Sequence, residues 1–375
     1  MSERVVTEIA QRAAGYRPQL DGLRAFAVLC TVIHHWVPDV FWWRTWFPFG
    51  VAGVRLFFVL SGFLITAILL DQRRAIEAGN QSRGLSLRHF FVRRVLRLVP
   101  AFYLVLFVGS ALDLGALRET LYWHLPYLSN VGMILDGRWL PGITHLWSLA
   151  VEEQFYIVWA FVILFIPRKG LVPAIGTAIV AAPVFRGVGV AAGWADMTIA
   201  FNPIACLDTL GMGSLLAVLF RGEGGERGER IREPLLRACL WIGLPLLIAS
   251  ILGEREFGEV FRRNVNLPMQ EFALALVFTW VVARAAVGFR GPIGWVLENR
   301  VVVSMGMMSY AIYLFHPIVA KGVVRWLAVG WTYWPKVAMS AFVTISLAWL
   351  SWQFIETPAR NLGRRFLYVK PNPPD

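Results

Sequence analysis

The 375-residue sequence is 57% hydrophobic, contains 17 tryptophans and carries a formal charge of +12. A soluble core of this length does not bury so much apolar surface, so an ordinary water-soluble domain is excluded and a polytopic membrane protein is implied. The basic residues lie in connections between apolar runs rather than on one soluble face, so membrane topology accounts for the charge and no nucleic-acid partner is expected.

Residues 1–19 are polar and lack the short apolar core and small-residue cleavage site of a secretory signal. They read as a cytoplasmic N-terminal segment, and the first span is expected to be retained. Apolar runs of roughly 18–22 residues cross about 30 Å of hydrocarbon at about 1.5 Å per residue. Such runs fall near 20–38, 50–70, 93–112, 147–166, 171–190, 203–220, 235–252, 269–287, 301–326 and 336–356. The fold expected is all-α: a polytopic membrane helix bundle of about ten transmembrane helices over 20–356, followed by a cytoplasmic basic tail at 357–375.

The connection after the second run holds Arg73, Arg74, Arg83, Arg88, Arg93 and Arg94, and the one after the sixth holds Arg221, Arg227, Arg230 and Arg232. Both read as cytoplasmic by the excess of positive charge on that side. Arg168, Lys169 and the tail residues Arg360, Arg364, Arg365 and Lys370 then share that side, and both termini are cytoplasmic. Arg255, Arg262 and Arg263 oppose this count, since it places them outside. The outer segment 114–144 carries Tyr122, Trp123, Tyr127 and Trp139, which suit a membrane interface or a sugar-stacking surface. Cys30, Cys206 and Cys239 lie inside runs without metal or disulfide spacing, and the six histidines form no closed ligand set, so no metal is expected.

Ionisable groups inside apolar runs are costly and mark either a site or a structural pair. Arg24 and His35 lie eleven residues apart, close to three helical turns, on one face of the first run. His35 reads equally as an interfacial histidine beside Trp36 or as a catalytic base. Arg94 and Arg97 share a face and can anchor lipid headgroups or grip a phosphate. His145 opens the fourth run, and Glu152 and Glu153 stand one or two turns inside it, paired structurally with an arginine such as Arg55 or working in a site. Tyr313 and His316 share one side of the ninth run, where His316 before Pro317 also reads as a helix-end residue. Counting residues from the membrane faces puts His35, His316 and Glu153 at one level in the outer half and Arg24, Arg94 and Arg97 near the inner face. The site is expected to have two ends.

Five pieces in this order resemble the acyltransferase 3 family of bacterial integral-membrane O-acyltransferases: 17–35 (RPQLDGLRAFAVLCTVIHH), 53–66 (GVRLFFVLSGFLIT), 91–103 (FVRRVLRLVPAFY), 145–156 (HLWSLAVEEQFY) and 309–317 (SYAIYLFHP). The resemblance covers nearly the whole chain. It implies an enzyme of the bacterial plasma membrane that takes an acyl group, most often acetyl, from cytoplasmic acyl-CoA and gives it to a hydroxyl of a carbohydrate or other envelope acceptor. Arg24, His35, Arg94 and Arg97 match the family's Arg, His and paired-arginine motifs, and Glu153 matches its second carboxylate. Position 55 is Arg where many relatives have Asp. A periplasmic hydrolase-like domain, which some relatives carry, is not expected.

The chemistry expected is general-base catalysis by His35, with Glu153 orienting it or taking the proton onward and the arginines holding CoA phosphates, by direct transfer or through an acyl-histidine. Ser61 and Gly62 let a pantetheine arm pass close to backbone or serve ordinary helix packing. The alternative from another class is a transporter or flippase, but no internal repeat of the kind transporters show is visible.

Overall fold

The computed structural model describes residues 17–363 apart from 42, 44, 45, 141 and 224, and the side chain of Arg227 also lies outside the described set. Residues 1–16 of the N-terminal segment and Arg364, Arg365 and Lys370 of the tail fall outside the described residues too. Among the described residues the elements are all helices. They are α1 (Pro18–Trp36), α2 (Phe49–Glu77), α3 (Arg83–Ala111), α4 (Leu117–His124), α5 (Ser129–Asp136), α6 (Leu146–Phe165), α7 (Arg168–Ala191) and α8 (Asp196–Ala200). A short 3-10 turn leads to α9 (Leu207–Phe220), followed by α10 (Gly225–Phe261), α11 (Leu267–Val287), α12 (Gly291–Leu297), α13 (Arg300–Met307), α14 (Ser309–Gly322), α15 (Tyr333–Ser351) and α16 (Thr357–Gly363).

The expected count of ten spans is not established. Six helices are long and apolar enough to cross a membrane, or seven if α13 and the helix from Ser309 to Leu327, bent by 72° at Met308, form one broken span. Each expected run is helical, yet α1 falls outside that set, and so does α3, which carries Arg83, Arg88, Arg93, Arg94 and Arg97. The stretch 228–287 counts as a single helix by length. Its chain nevertheless doubles back: Ser250 bonds Asn266 and Gln270, and Gly243 packs on Leu276 and Val277, so partners run in opposite directions. Gly258, at φ 62°, makes the reversal that a side chain would resist.

α2 is the central helix, packed against α1, α6, α9 and α11. Its closest neighbour is α9, because Gly62 faces the backbone of Leu210 while Gly213 faces that of Val59. Small residues on both helices let the backbones approach, as they do where lipid supplies no hydrophobic drive for association. Gly62 is therefore a packing residue and does not line the cavity described below. Large apolar side chains such as Trp241, Val180 and Phe342 are instead left on the outside, as expected of helices that face lipid.

Ion pairs lace the two ends of the bundle. At the end expected to be cytoplasmic, Arg168 and Arg74 both reach Glu223, Arg221 bonds Asp71, and Arg73 donates to the terminal carbonyls of Ile163 and Ile166, where the helix dipole favours a cation. At the other end Arg262 and Arg263 both pair with Asp196, and Arg255 lies over Trp46. Two of the three basic residues that opposed the topology thus have a local carboxylate, while Arg255 keeps its charge over an aromatic face.

Deep between α2, α7, α9 and α11 lies a cluster that sequence reading missed. Arg186 bonds Asp208 at 2.6 Å and Glu271 at 3.1 Å, while Arg55 pairs with Glu271 and donates to Cys206 Sγ at 3.0 Å. Two buried cations face two buried anions, which is the condition under which such charges persist inside a bundle. Arg55 is therefore the partner of Glu271, not of Glu152 or Glu153. The available signal was a lone charge in each of two apolar runs, Arg186 and Asp208, and an acid near the start of a third, Glu271.

Candidate active site

A cavity of about 260 Å³ opens between α1, α2, α3, α6 and α14. It follows α2 from Val54 to Ile68, a length of about 21 Å at the helical rise of ~1.5 Å per residue. Arg24, Arg94, Arg97, Glu152, Glu153, Ser61 and Tyr313 all line it, so seven of the ten candidate residues meet in one chamber. The remaining three, His35, His145 and His316, cluster beside it.

Both carboxylates of α6 face the chamber. Ser61 Oγ donates to Glu152 Oε1 at 2.6 Å, and Glu153 Oε1 lies 3.5 Å from Arg94. Arg94 also stacks its guanidinium 3.6 Å over the ring of Tyr156, one turn further along α6. Its Nε has no partner among the described residues, nor does the buried Oγ of Ser309 on the facing wall. Arg24 lies 3.8 Å from Asp21. Arg97 makes no ion pair or hydrogen bond among the described residues and presents its guanidinium to the chamber. An unmatched cation beside two others, with buried polar atoms awaiting partners, suits a polar and anionic ligand.

The histidines pack ring against ring. His35 Nδ1 lies 2.9 Å from His316 Nε2, and the His145 ring stands 5.3 Å from that of His316 and 6.3 Å from that of His35. His316 sits where α14 passes below Trp36, whose Nε1 donates to its carbonyl at 3.2 Å. It is a buried member of the cluster rather than a helix-end residue. Tyr313 separates the cluster from the chamber: its hydroxyl meets Ser148 Oγ at 2.5 Å and donates to the His145 carbonyl at 3.0 Å. On the far side of the cluster a second cavity of about 500 Å³ is lined by His35, Trp36, Asp113, Gly142, Lys321 and Arg325.

Two ends are present, but the division differs from the expectation in one respect. Glu153 bonds Arg94 and lines the arginine chamber, whereas the side chain at hydrogen-bond distance from His35 is His316. The depth count failed because α3 begins at Arg83, ten residues before the expected span. Arg94 and Arg97 consequently lie three to four turns inside the helix and reach the carboxylates. Of the outer aromatic residues, Tyr127 turns inward, stacks on Phe102 and lines the chamber, whereas Tyr122 and Trp139 remain exposed.

Fold and site together define a polytopic helical membrane protein with a polar, anion-receptive interior beside an imidazole cluster. The chain belongs to the acyltransferase family, whose acyltransferase domain (Acyl_transf_3) matches residues 17–353. It is 29% identical over 373 residues to the provisionally named peptidoglycan O-acetyltransferase YrhL of Bacillus subtilis, covering 93% of this chain and 56% of that protein. It is 28% identical over 370 residues to the peptidoglycan O-acetyltransferase OatA of Listeria monocytogenes, covering 93% and 56%. A provisionally named O-acetyltransferase of Staphylococcus aureus is 28% identical over 386 residues, covering 95% and 59%. The chain thus spans less than two thirds of the length of these relatives. No solved structure matches it.

Proposed function

We propose that this protein is an O-acyltransferase of the bacterial plasma membrane, with both termini cytoplasmic, that moves an acetyl or other acyl group from cytoplasmic acyl-CoA to a hydroxyl of a carbohydrate or similar envelope acceptor. The observation that carries the reading is the unmatched Arg97 beside Arg24 and Arg94 in a chamber that ends at the histidine cluster. Arginine forks match phosphate oxygens, so CoA phosphates lodge there and the pantetheine arm follows α2 toward Tyr313. Relatives named as peptidoglycan O-acetyltransferases support acetyl as the group and an envelope glycan as the acceptor class.

In this scheme the acceptor enters through the second cavity and meets His35. His35 removes the hydroxyl proton as the oxygen attacks the thioester carbonyl. The tetrahedral intermediate collapses with cleavage of the C–S bond, and the departing thiolate takes the proton back from His35. Products are the ester and free CoA thiol. Lipids surround the bundle, and no metal enters the chemistry.

The test uses the purified chain in detergent with radiolabelled acetyl-CoA and a crude envelope extract. Label in an alkali-labile product is expected with the wild type and absent with His35→Ala, which should remain folded. Equal labelling by the alanine variant would remove His35 from the mechanism, and acetyl-CoA that neither binds nor turns over would remove the donor.

A further inference from the structure

Hydrogen-bond partners around the histidine pair fix where its protons sit. We infer that His316 is a positioning residue that holds His35 with its proton on Nδ1, leaving Nε2 as the basic nitrogen that meets the acceptor. The role in transfer rests on the acyltransferase reading; the proton placement does not.

The argument starts at His316. Its Nδ1 faces two backbone carbonyls, Tyr313 O at 2.8 Å and Ile312 O at 3.2 Å. A carbonyl oxygen can only accept, so this nitrogen carries the hydrogen. In a neutral ring Nε2 is then the acceptor, and it points at His35 Nδ1 from 2.9 Å. His35 Nδ1 also faces Thr31 O at 2.9 Å, a second acceptor. With acceptors on both sides, His35 Nδ1 must be the donor, and its lone pair lies on Nε2. The ring lines the 500 Å³ cavity, from which a hydroxyl would approach.

His316 does more than select a tautomer. When His35 takes up a proton it becomes a cation, and the Nδ1–H bond to His316 becomes charge-assisted and stronger. An interaction that strengthens as charge develops lowers the barrier rather than merely binding substrate. Thr31 O is a poorer substitute, because it already accepts the helix hydrogen bond from the backbone of its own turn. Burial of His316 and the Trp36 bond to its carbonyl hold this partner in place.

The experiment is solid-state NMR of the full chain in lipid bilayers, labelled with 15N-histidine, at a pH where the imidazoles are neutral. His35 is assigned by its disappearance in His35→Ala. The wild type is expected to show His35 protonated at Nδ1 and bare at Nε2, and His316→Leu should raise the population with the proton on Nε2. Wild-type His35 protonated at Nε2 would overturn the inference without reference to any variant. In the acetyl-CoA assay His316→Leu should lower kcat by on the order of tenfold to a hundredfold, the range of a lost charge-assisted hydrogen bond, with KM for acetyl-CoA unchanged. His316→Asn, whose side-chain oxygen can accept from Nδ1, should recover part of that loss. A rise in KM with kcat unchanged would also overturn the positioning role. The NMR result is independent of turnover, so a failed donor assay and a failed proton assignment are distinguishable.

Discussion

Arg97→Ala separates binding from folding. Arg97 makes no ion pair or hydrogen bond among the described residues, so its removal breaks none and relieves the crowding of three arginines around one chamber, against the loss of a longer-range attraction to Glu356. The unfolding midpoint in detergent should stay within about 2 °C of the wild type, the range of substitutions that touch no structural partner. A charge-assisted hydrogen bond to phosphate contributes about 1.5–3 kcal/mol, and each 1.4 kcal/mol is about tenfold. Apparent KM for acetyl-CoA should therefore rise about 10- to 150-fold, and kcat should change little. The assay is initial-rate transfer across a range of acetyl-CoA concentrations, beside thermal unfolding of the same preparations. Arg94→Ala is the contrast: it strands Glu153 and uncovers Tyr156, so it should lower stability and donor use together. An unchanged KM for Arg97→Ala would refute the phosphate-binding argument, and a large loss of stability would show that its guanidinium has a structural partner.

Arg186→Met should destabilise the bundle by about 3–5 kcal/mol, because Asp208 loses its buried cation and Glu271 keeps only Arg55; denaturant unfolding checks this. Gly62→Val should misassemble the bundle, since a side chain there meets the Leu210 backbone, and size-exclusion profiles in detergent would report it. His124, buried at the end of α4 between Thr120 Oγ1 and Ser129 Oγ, has its pKa lowered by desolvation to about 4. The unfolded chain takes that proton first, near the ordinary value of about 6.5, so stability present at neutral pH should be lost as pH falls from about 6.5 toward 4. Unfolding midpoints of wild type and His124→Gln compared across that window would show it, and parallel curves would contradict it.

What the sequence by itself determined was the class of fold and most of the polar residues that the fold brings together around the chamber and the histidine cluster. Apolar runs long enough to cross a bilayer leave helices as the simplest way to satisfy the backbone, and every run expected to be helical is helical. The spacing of Arg24, His35, Arg94, Arg97, Glu152 and Glu153 within those runs marked them as candidates, because buried ionisable groups carry a cost that needs a reason. Pairing was decided only by the tertiary structure. Whether Glu153 meets His35 or Arg94 depends on where α3 begins and how it leans on α6, and residue counting along separate helices contains neither quantity. The same limit hid the partnership of Arg55 with Glu271, which lie more than two hundred residues apart, and the contact between His35 and His316. Such contacts are set by side-chain packing between helices distant in sequence, so local periodicity could nominate the charges but not join them.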